Sequence, residues 1–264
     1  MTYPISDLVD VAHAMADAAR AAILPHFRAP DLDDENKATD GYDPVTVADR
    51  AAETAMRAVL AEHRPDDGVL GEEFGAQAGC TGLNWVLDPI DGTRGFVAGT
   101  PTWGVLIAAS TEDGPILGMI DQPYIKERFW GAAGTAWLRG PAGERRLATR
   151  APRALSDAVL FTTFPEVGSR SERDGFEAVA RKVKLVRYGM DCYAYALLAA
   201  GQIDLVIEAG LNSYDIQAPI GVIEAAGGCV TDWSGAPVHD GGQVIAAAHA
   251  DVHGAALDIL GDYL

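Results

Sequence analysis

Cysteine is scarce in this chain of 264 residues: Cys80, Cys192 and Cys229 lie far apart, leave an odd one over and form no CxxC pair. Neither a disulfide framework nor a thiolate metal site is expected. Long apolar runs are missing too, and Met1-Thr2-Tyr3-Pro4 does not begin a basic-then-apolar signal segment. A soluble, cytoplasmic protein without a membrane span is the expectation. Positive charge is in short supply, with 20 Lys and Arg against 38 Asp and Glu and a net charge of −18. Without clustered Lys and Arg there is no counterion-release surface, so nucleic acid is not an expected partner. The acidity suits cations, and it also serves solubility alone. Repeats and low-complexity tracts are absent, and 48% apolar content lets the chain bury one large core or two packed halves.

Apolar residues from Ile5 to Phe27 follow a helical period that Pro25 interrupts. The acidic stretch 30–44, which contains Lys37, reads as a mobile surface loop able to act as a lid. A second helix is expected from about Thr46 to His63, opened by the capping pattern Thr46-Val47-Ala48-Asp49. Extended segments at 85–88, 103–110, 116–122 and 128–131 suggest an antiparallel meander. Beyond Arg150 strands alternate with helices, through 159–162, 176–181, 184–188, 192–200, 203–208, 216–226, 229–231 and 244–248. The expected fold is therefore an α+β half over residues 1–150 and an α/β half over 151–264. The boundary falls near 140–153, and a ligand cleft is expected between the halves.

The densest chemistry lies in Leu87-Asp88-Pro89-Ile90-Asp91-Gly92-Thr93-Arg94, where two carboxylates three residues apart bracket the end of an apolar run. Pro89 keeps Asp88 extended, so both acids can project from one strand end, and the amides around Gly92, Thr93 and Arg94 can open a helix that faces an anion. Two aspartates around a turn also simply cap backbone groups, so partners elsewhere must decide. Glu72, in Gly71-Glu72-Glu73, and Asp215, at the start of a late helix, complete a four-carboxylate pocket if strand and helix ends converge. Such crowding requires cations, and an all-oxygen set favours Mg²⁺, with the Ile90 carbonyl and waters as further ligands. Clusters of this kind commonly hold two ions about 3.5–4 Å apart and act on phosphate esters. Asp49 supports its own helix first, and it orients a water with Thr93 only if the two meet beside the metal.

Taken together, Pro44-Val45-Thr46-Val47-Ala48-Asp49, Gly71-Glu72-Glu73, Asp88-Pro89-Ile90-Asp91-Gly92-Thr93, Tyr214-Asp215 and Glu224-Ala225-Ala226-Gly227-Gly228 resemble the inositol monophosphatase superfamily of metal-dependent phosphatases, in order and across most of the chain. Within it, Arg94-Gly95-Phe96, Ile120-Asp121-Gln122-Pro123, Asp191-Cys192-Tyr193-Ala194-Tyr195 and Glu208-Ala209-Gly210-Leu211 are similar to the histidinol-phosphate phosphatase branch. The resemblance implies a layered αβαβα sandwich, a homodimer and two or three Mg²⁺ ions. It would put Glu72, Asp88 and the Ile90 carbonyl on the first ion, Asp88, Asp91 and Asp215 on the second, and a third ion near Glu72. Thr93, Asp49 and Glu72 form the implied catalytic set, with Thr93 and Asp49 orienting the attacking water. The amides of Gly92 and Thr93 would bind phosphate, and Glu73 would support the ligand shell.

The implied activity is hydrolysis of L-histidinol phosphate in histidine biosynthesis. Inositol phosphate and 3′-phosphoadenosine 5′-phosphate are alternative substrates, and binding to the transcription machinery is an alternative of another class. On the substrate side, Asp191 and Glu208 can pair with the ammonium and imidazole of histidinol, and Arg94 fits anion attraction. Each also reads as a capping or surface charge. Lys37 reaches the site only if its loop closes. His249 and His253 have metal-binding spacing but no third ligand nearby, so they read as surface residues. Trp103, Trp130, Trp137, Phe129, Tyr193 and Tyr195 read as packing residues.

Overall fold

Helix α1 (Ile5–Ile23) forms because Leu8, Val11, Ala12, Met15, Ala16, Ala19 and Ile23 make one buried stripe at helical spacing. It stops two residues before Pro25 and short of the expected Phe27, since proline is poorly accommodated within a continuing helix. Helix α2 (Val47–His63) starts at the expected capping box: the Ala48 N–H donates to Thr46 Oγ1 at 3.1 Å, and the Thr46 N–H donates to Asp49 Oδ2 at 2.8 Å. The computed structural model describes residues 3–30, 32, 34–36, 44–164, 166 and 168–264. In the stretch expected to be a loop, β1 (Asp34–Asn36) pairs antiparallel with β2 (Pro44–Thr46), so a short ribbon replaces part of it. Lys37 and its neighbours through 43 lie outside the described residues.

The first large sheet contains β3 (Gly68–Gly71), β4 (Gly75–Gln77), β5 (Asn84–Asp91), β6 (Gly104–Thr111), β7 (Gly114–Gln122), β8 (Glu127–Ala132), β9 (Thr135–Gly140) and β10 (Gly143–Arg146). Its order is β10-β9-β8-β7-β6-β5-β3-β4, an antiparallel meander from β5 to β10 with β3 added parallel to β5. Helix α3 (Thr93–Ala98) interrupts the path between β5 and β6. The second sheet contains β11 (Val159–Thr162), β12 (Leu185–Tyr188), β13 (Leu205–Asn212), β14 (Cys229–Thr231) and β15 (Gly241–Ala247), in the order β12-β11-β13-β15-β14. Its helices are α4 (Arg170–Ala180), α5 (Asp191–Ala199), α6 (Ser213–Ala225) and α7 (Ala250–Leu260).

Strand alternation assembles the layers. In β6, Val105, Ile107 and Ala109 enter a core with α1 and α2, whereas Leu106 and Ala108 enter a core with α5 and α6. In β13, Val206 joins that same middle core, while Leu205 and Ile207 pack with α4 and α7. The result is an αβαβα sandwich, as the resemblance implied. Sequence patterning missed β3, β4, β9, β10 and α7. Strands β3, β4 and β10 span only three or four residues each, and Gly140 to Gly143, at the start of the 140–153 stretch, is the turn of the β9–β10 hairpin. The alanines and glycine of α7 blur its apolar stripe. Among the described residues no helix is long and apolar enough to cross a membrane.

Helix α6 is buried on nearly every side, as a middle-layer helix must be. It touches the sheet through glycine: a Cβ at Gly118 would lie 2.1 Å from the Ala218 carbonyl oxygen, and one at Gly221 would lie 2.5 Å from Gly118 N. Gly118→Ala therefore forces backbones apart and is expected to destabilise by about 1–3 kcal/mol. Urea denaturation checks this, and a change under about 0.5 kcal/mol would show that the contact yields freely.

Candidate active site

Strand β5 delivers two acids to one face by means of a register shift. Asp88 pairs with Leu106 but Asp91 pairs with Gly104, so three steps on β5 match two on β6. In a regular strand residues i and i+3 point to opposite faces; one extra residue restores the same face. Pro89, which has no N–H to give the ladder, sits in this bulge. Leu87 and Ile90 accordingly enter the outer core with α1 and α2, while Val86 packs in the middle core and Asp88 and Asp91 open into a cavity there. Strand β13 shows the same device: Glu208 pairs with Val244 and Leu211 with Gly242, with Gly210 at φ 78° between them.

Asp88, Asp91 and Asp215 each place a carboxylate oxygen within 4.8 Å of the others. Asp215 stands in the first turn of α6 and accepts the Asn212 N–H at 2.6 Å. Asp88 Oδ1 accepts the Ile90 N–H at 2.9 Å, and Asp91 Oδ2 accepts the Cys192 N–H at 2.6 Å. Glu72 follows β3, which runs beside β5, and its side chain hydrogen-bonds that of Asp88. Burial pushes the Asp88 and Asp91 carboxyls well above the usual range, with Glu72 adding most to the first and Asp215 to the second. Burial also raises Asp215 to about 7. A set of hard oxygens that retain protons for want of positive charge fits a divalent cation, and Ile90, whose carbonyl accepts the Thr93 hydroxyl, lines the same cavity.

Gly92 caps α3 at φ 83°, a left-handed conformation that glycine adopts without strain. A side chain there would also strike Asp191, whose Cγ would lie 2.6 Å from the new Cβ. Gly92, Thr93 and Arg94 line the cavity at the start of α3. Thr93 Oγ1 lies 3.0 Å from the Ile90 carbonyl and 3.5 Å from Asp49 Oδ1, so its single proton faces two acceptors, of which Ile90 is nearer. Asp49 is 1% exposed and is raised to about 6, chiefly by burial. Its capping box and its approach to Thr93 coexist.

The far wall comes from the second sheet and its helices. Asp191, at φ 46°, opens α5 and accepts the Thr102 hydroxyl at 2.7 Å. Glu208 is buried and accepts the Thr163 N–H at 2.8 Å and the Tyr195 hydroxyl at 2.7 Å. Burial raises both carboxyls, and those hydroxyl donors oppose it. Arg94 is exposed and its guanidinium lies 4.9 Å from the Phe164 ring across the mouth. The cavity they enclose measures about 250 Å³.

Tyr195 was expected only to pack, yet it bonds a carboxylate in the cavity wall. Tyr193 likewise bonds Glu127 at 2.5 Å. Sequence reasoning also missed Glu53, which is fully buried, pairs with Arg57 at 2.8 Å and accepts the Glu73 N–H at 2.7 Å, so that it holds the turn carrying Glu72. The available signal was a carboxylate on the apolar stripe of α2, between Ala52 and Met56. The two histidines have separate tasks: His249 Nδ1 caps α7, and His253 Nε2 meets Thr231 Oγ1 at 2.9 Å.

The chain matches the inositol monophosphatase family over residues 5–262. It belongs to that family. It is 42% identical to the chloroplastic bifunctional phosphatase IMPL2 of Arabidopsis thaliana, with 95% of this chain and 74% of the relative covered. It is 36% identical to the histidinol-phosphatase of Mycobacterium tuberculosis, covering 89% of this chain and 91% of the relative. The solved inositol monophosphatase from Zymomonas mobilis superposes with a TM-score of 0.87 at 39% identity, covering 98% of this chain and all of that one. The family member described here is a metal-dependent phosphatase, and its substrate is a small phosphate ester.

Proposed function

We propose that this phosphatase uses Mg²⁺ to hydrolyse L-histidinol phosphate. The observation that carries the substrate reading is the acid on the leaving-group side: Asp191 and Glu208 both line the cavity. A neutral polyol gains little from two carboxylates, whereas an ammonium or imidazolium gains charge-assisted hydrogen bonds. The relatives named histidinol-phosphatase support the same reading.

In this reading Glu72, Asp88 and the Ile90 carbonyl would hold one ion, and Asp88, Asp91 and Asp215 would hold another, with Glu72 the ligand nearest to any third. Bound there, Mg²⁺ lowers the pKa of a water and neutralises phosphoryl oxygens that would otherwise repel it. The Gly92 and Thr93 amides at the start of α3 bind the phosphate. In this reading the Thr93 hydroxyl turns from the nearer Ile90 carbonyl to donate its hydrogen bond to Asp49, which leaves the Thr93 oxygen free to accept from the attacking water and fixes its direction. Asp191 and Glu208 hold the amino alcohol, and Arg94 draws the dianion to the mouth.

Phosphate release from L-histidinol phosphate, inositol 1-phosphate and 3′-phosphoadenosine 5′-phosphate, each with and without Mg²⁺, tests the proposal. Expected is a kcat/KM for histidinol phosphate at least about tenfold above the other two, and dependence on the cation throughout. A clear preference for inositol 1-phosphate would remove the substrate assignment.

A further inference from the structure

Glu208 is 9% exposed, and among the described residues no Lys or Arg pairs with it. Its donors are neutral: Thr163 gives its N–H at 2.8 Å and its hydroxyl at 2.6 Å to Oε1, and Tyr195 gives its hydroxyl at 2.7 Å to Oε2. Both lone pairs of Oε1 are used, so the remaining acceptor capacity of this group lies on Oε2. A buried carboxylate held only by neutral donors keeps most of its demand for a counter-ion.

Tyr195 and Asp191 are four residues apart on α5, so one face of the helix presents both to the cavity they line. A single helix thus supplies one acid of the leaving-group wall and the hydroxyl that directs the other. Burial and the adjacent Glu208 push the Tyr195 phenol well above its ordinary range. It stays protonated and always donates.

We propose that Tyr195 is a specificity-determining positioning residue: its hydroxyl holds Glu208 toward the cavity as the second arm, with Asp191, of a site for a cationic leaving group. The class of substrate is an amino-alcohol phosphate. This inference rests on the leaving-group reading given above. Removing the hydroxyl frees Oε2 to turn away, and the loss falls on recognition of the cation more than on phosphoryl transfer at Asp88, Asp91 and Asp215.

Steady-state kinetics of the wild type, Tyr195→Phe, Glu208→Gln and the double variant, on L-histidinol phosphate and on glycerol 2-phosphate as an uncharged alcohol ester, decide it. In Tyr195→Phe, KM for histidinol phosphate is expected to rise roughly tenfold, more than kcat falls, and the loss in kcat/KM exceeds that on glycerol 2-phosphate by a similar factor. Adding Tyr195→Phe to Glu208→Gln is expected to cost nothing further on histidinol phosphate. Equal losses on the two esters, or additive losses in the double variant, overturn the proposal. Thr163→Val removes another donor from the same carboxylate and is expected to show the same selective loss, which keeps the test open if Tyr195→Phe folds poorly. The wild type reports separately on the leaving-group reading: no preference for the amino-alcohol ester sinks that reading, while the double variant, run on the preferred ester, still reports whether Tyr195 acts through Glu208.

Discussion

Asp91→Asn is expected to remove ester hydrolysis by at least about 100-fold, the upper end of what losing a group that merely supports a metal ligand costs. The change keeps the side chain's shape, and the amide oxygen can still accept the Cys192 N–H that Asp91 Oδ2 accepts at 2.6 Å. What disappears is one negative charge of the three within 4.8 Å of one another. The same charge is a liability in the metal-free protein, because burial and Asp215 both disfavour its ionised form. The variant should therefore melt no lower than the wild type without cations, and should gain less when Mg²⁺ is added. Activity assays paired with thermal melts check this. Retained activity would remove Asp91 from the cation site, and a large drop in metal-free melting temperature would make its role structural.

The second large effect is a coupling between pH, cation and stability. Asp215 is raised to about 7, from an ordinary value of 3.8, and Asp88 and Asp91 are raised as well. A carboxyl whose folded pKa lies above its unfolded value binds protons preferentially in the folded state. The stability it lends is full below the unfolded pKa and is lost as pH rises through the folded one. For Asp215 that window runs from 3.8 to about 7. Without divalent cations, the contribution of this cluster to the melting temperature should fall between pH 5 and pH 8, and Asp215→Asn should flatten the fall. Mg²⁺ replaces the protons, so its stabilisation should grow with pH. At 100 times its Kd a ligand adds about 2.7 kcal/mol, worth roughly 5–10 °C here. Calorimetric titration in buffers of different ionisation enthalpy should show proton release, larger at pH 6 than at pH 8. Stabilisation by Mg²⁺ that is the same across that range, with no protons released, would mean that the ion binds elsewhere.

Much of the fold can be read from local pattern. The stripe of α1, the Thr46–Asp49 box that opens α2 and the alternation of β6 and β13 depend on residues a few positions apart, so helical and strand periods are enough to see them. Short strands such as β3 and β4, and the small-residue helix α7, carry too few apolar side chains to show a period. The site was legible to a similar depth. Asp88 and Asp91 were visible as a pair, and Pro89 was read as keeping Asp88 extended at a strand end, where the structure has a break in the strand pairing. That the break is a one-residue register shift, which turns both acids to the same face, depends on pairing with β6.

By itself the sequence determined the residue chemistry and the local geometry: hard oxygen ligands without His or Cys, a glycine turn at the start of α3, and an acidic chain able to receive cations. Tertiary structure alone decided which acids meet. Asp215 comes to Asp88 and Asp91 from α6, and the Cys192 N–H reaches Asp91 across 101 positions. Tyr195, which looked like packing from its neighbours, reaches Glu208 from another element. The physical reason is range: capping and periodicity act within a turn or a strand pair, whereas burial, charge crowding and the direction of a carboxylate depend on whatever the packed layers bring alongside.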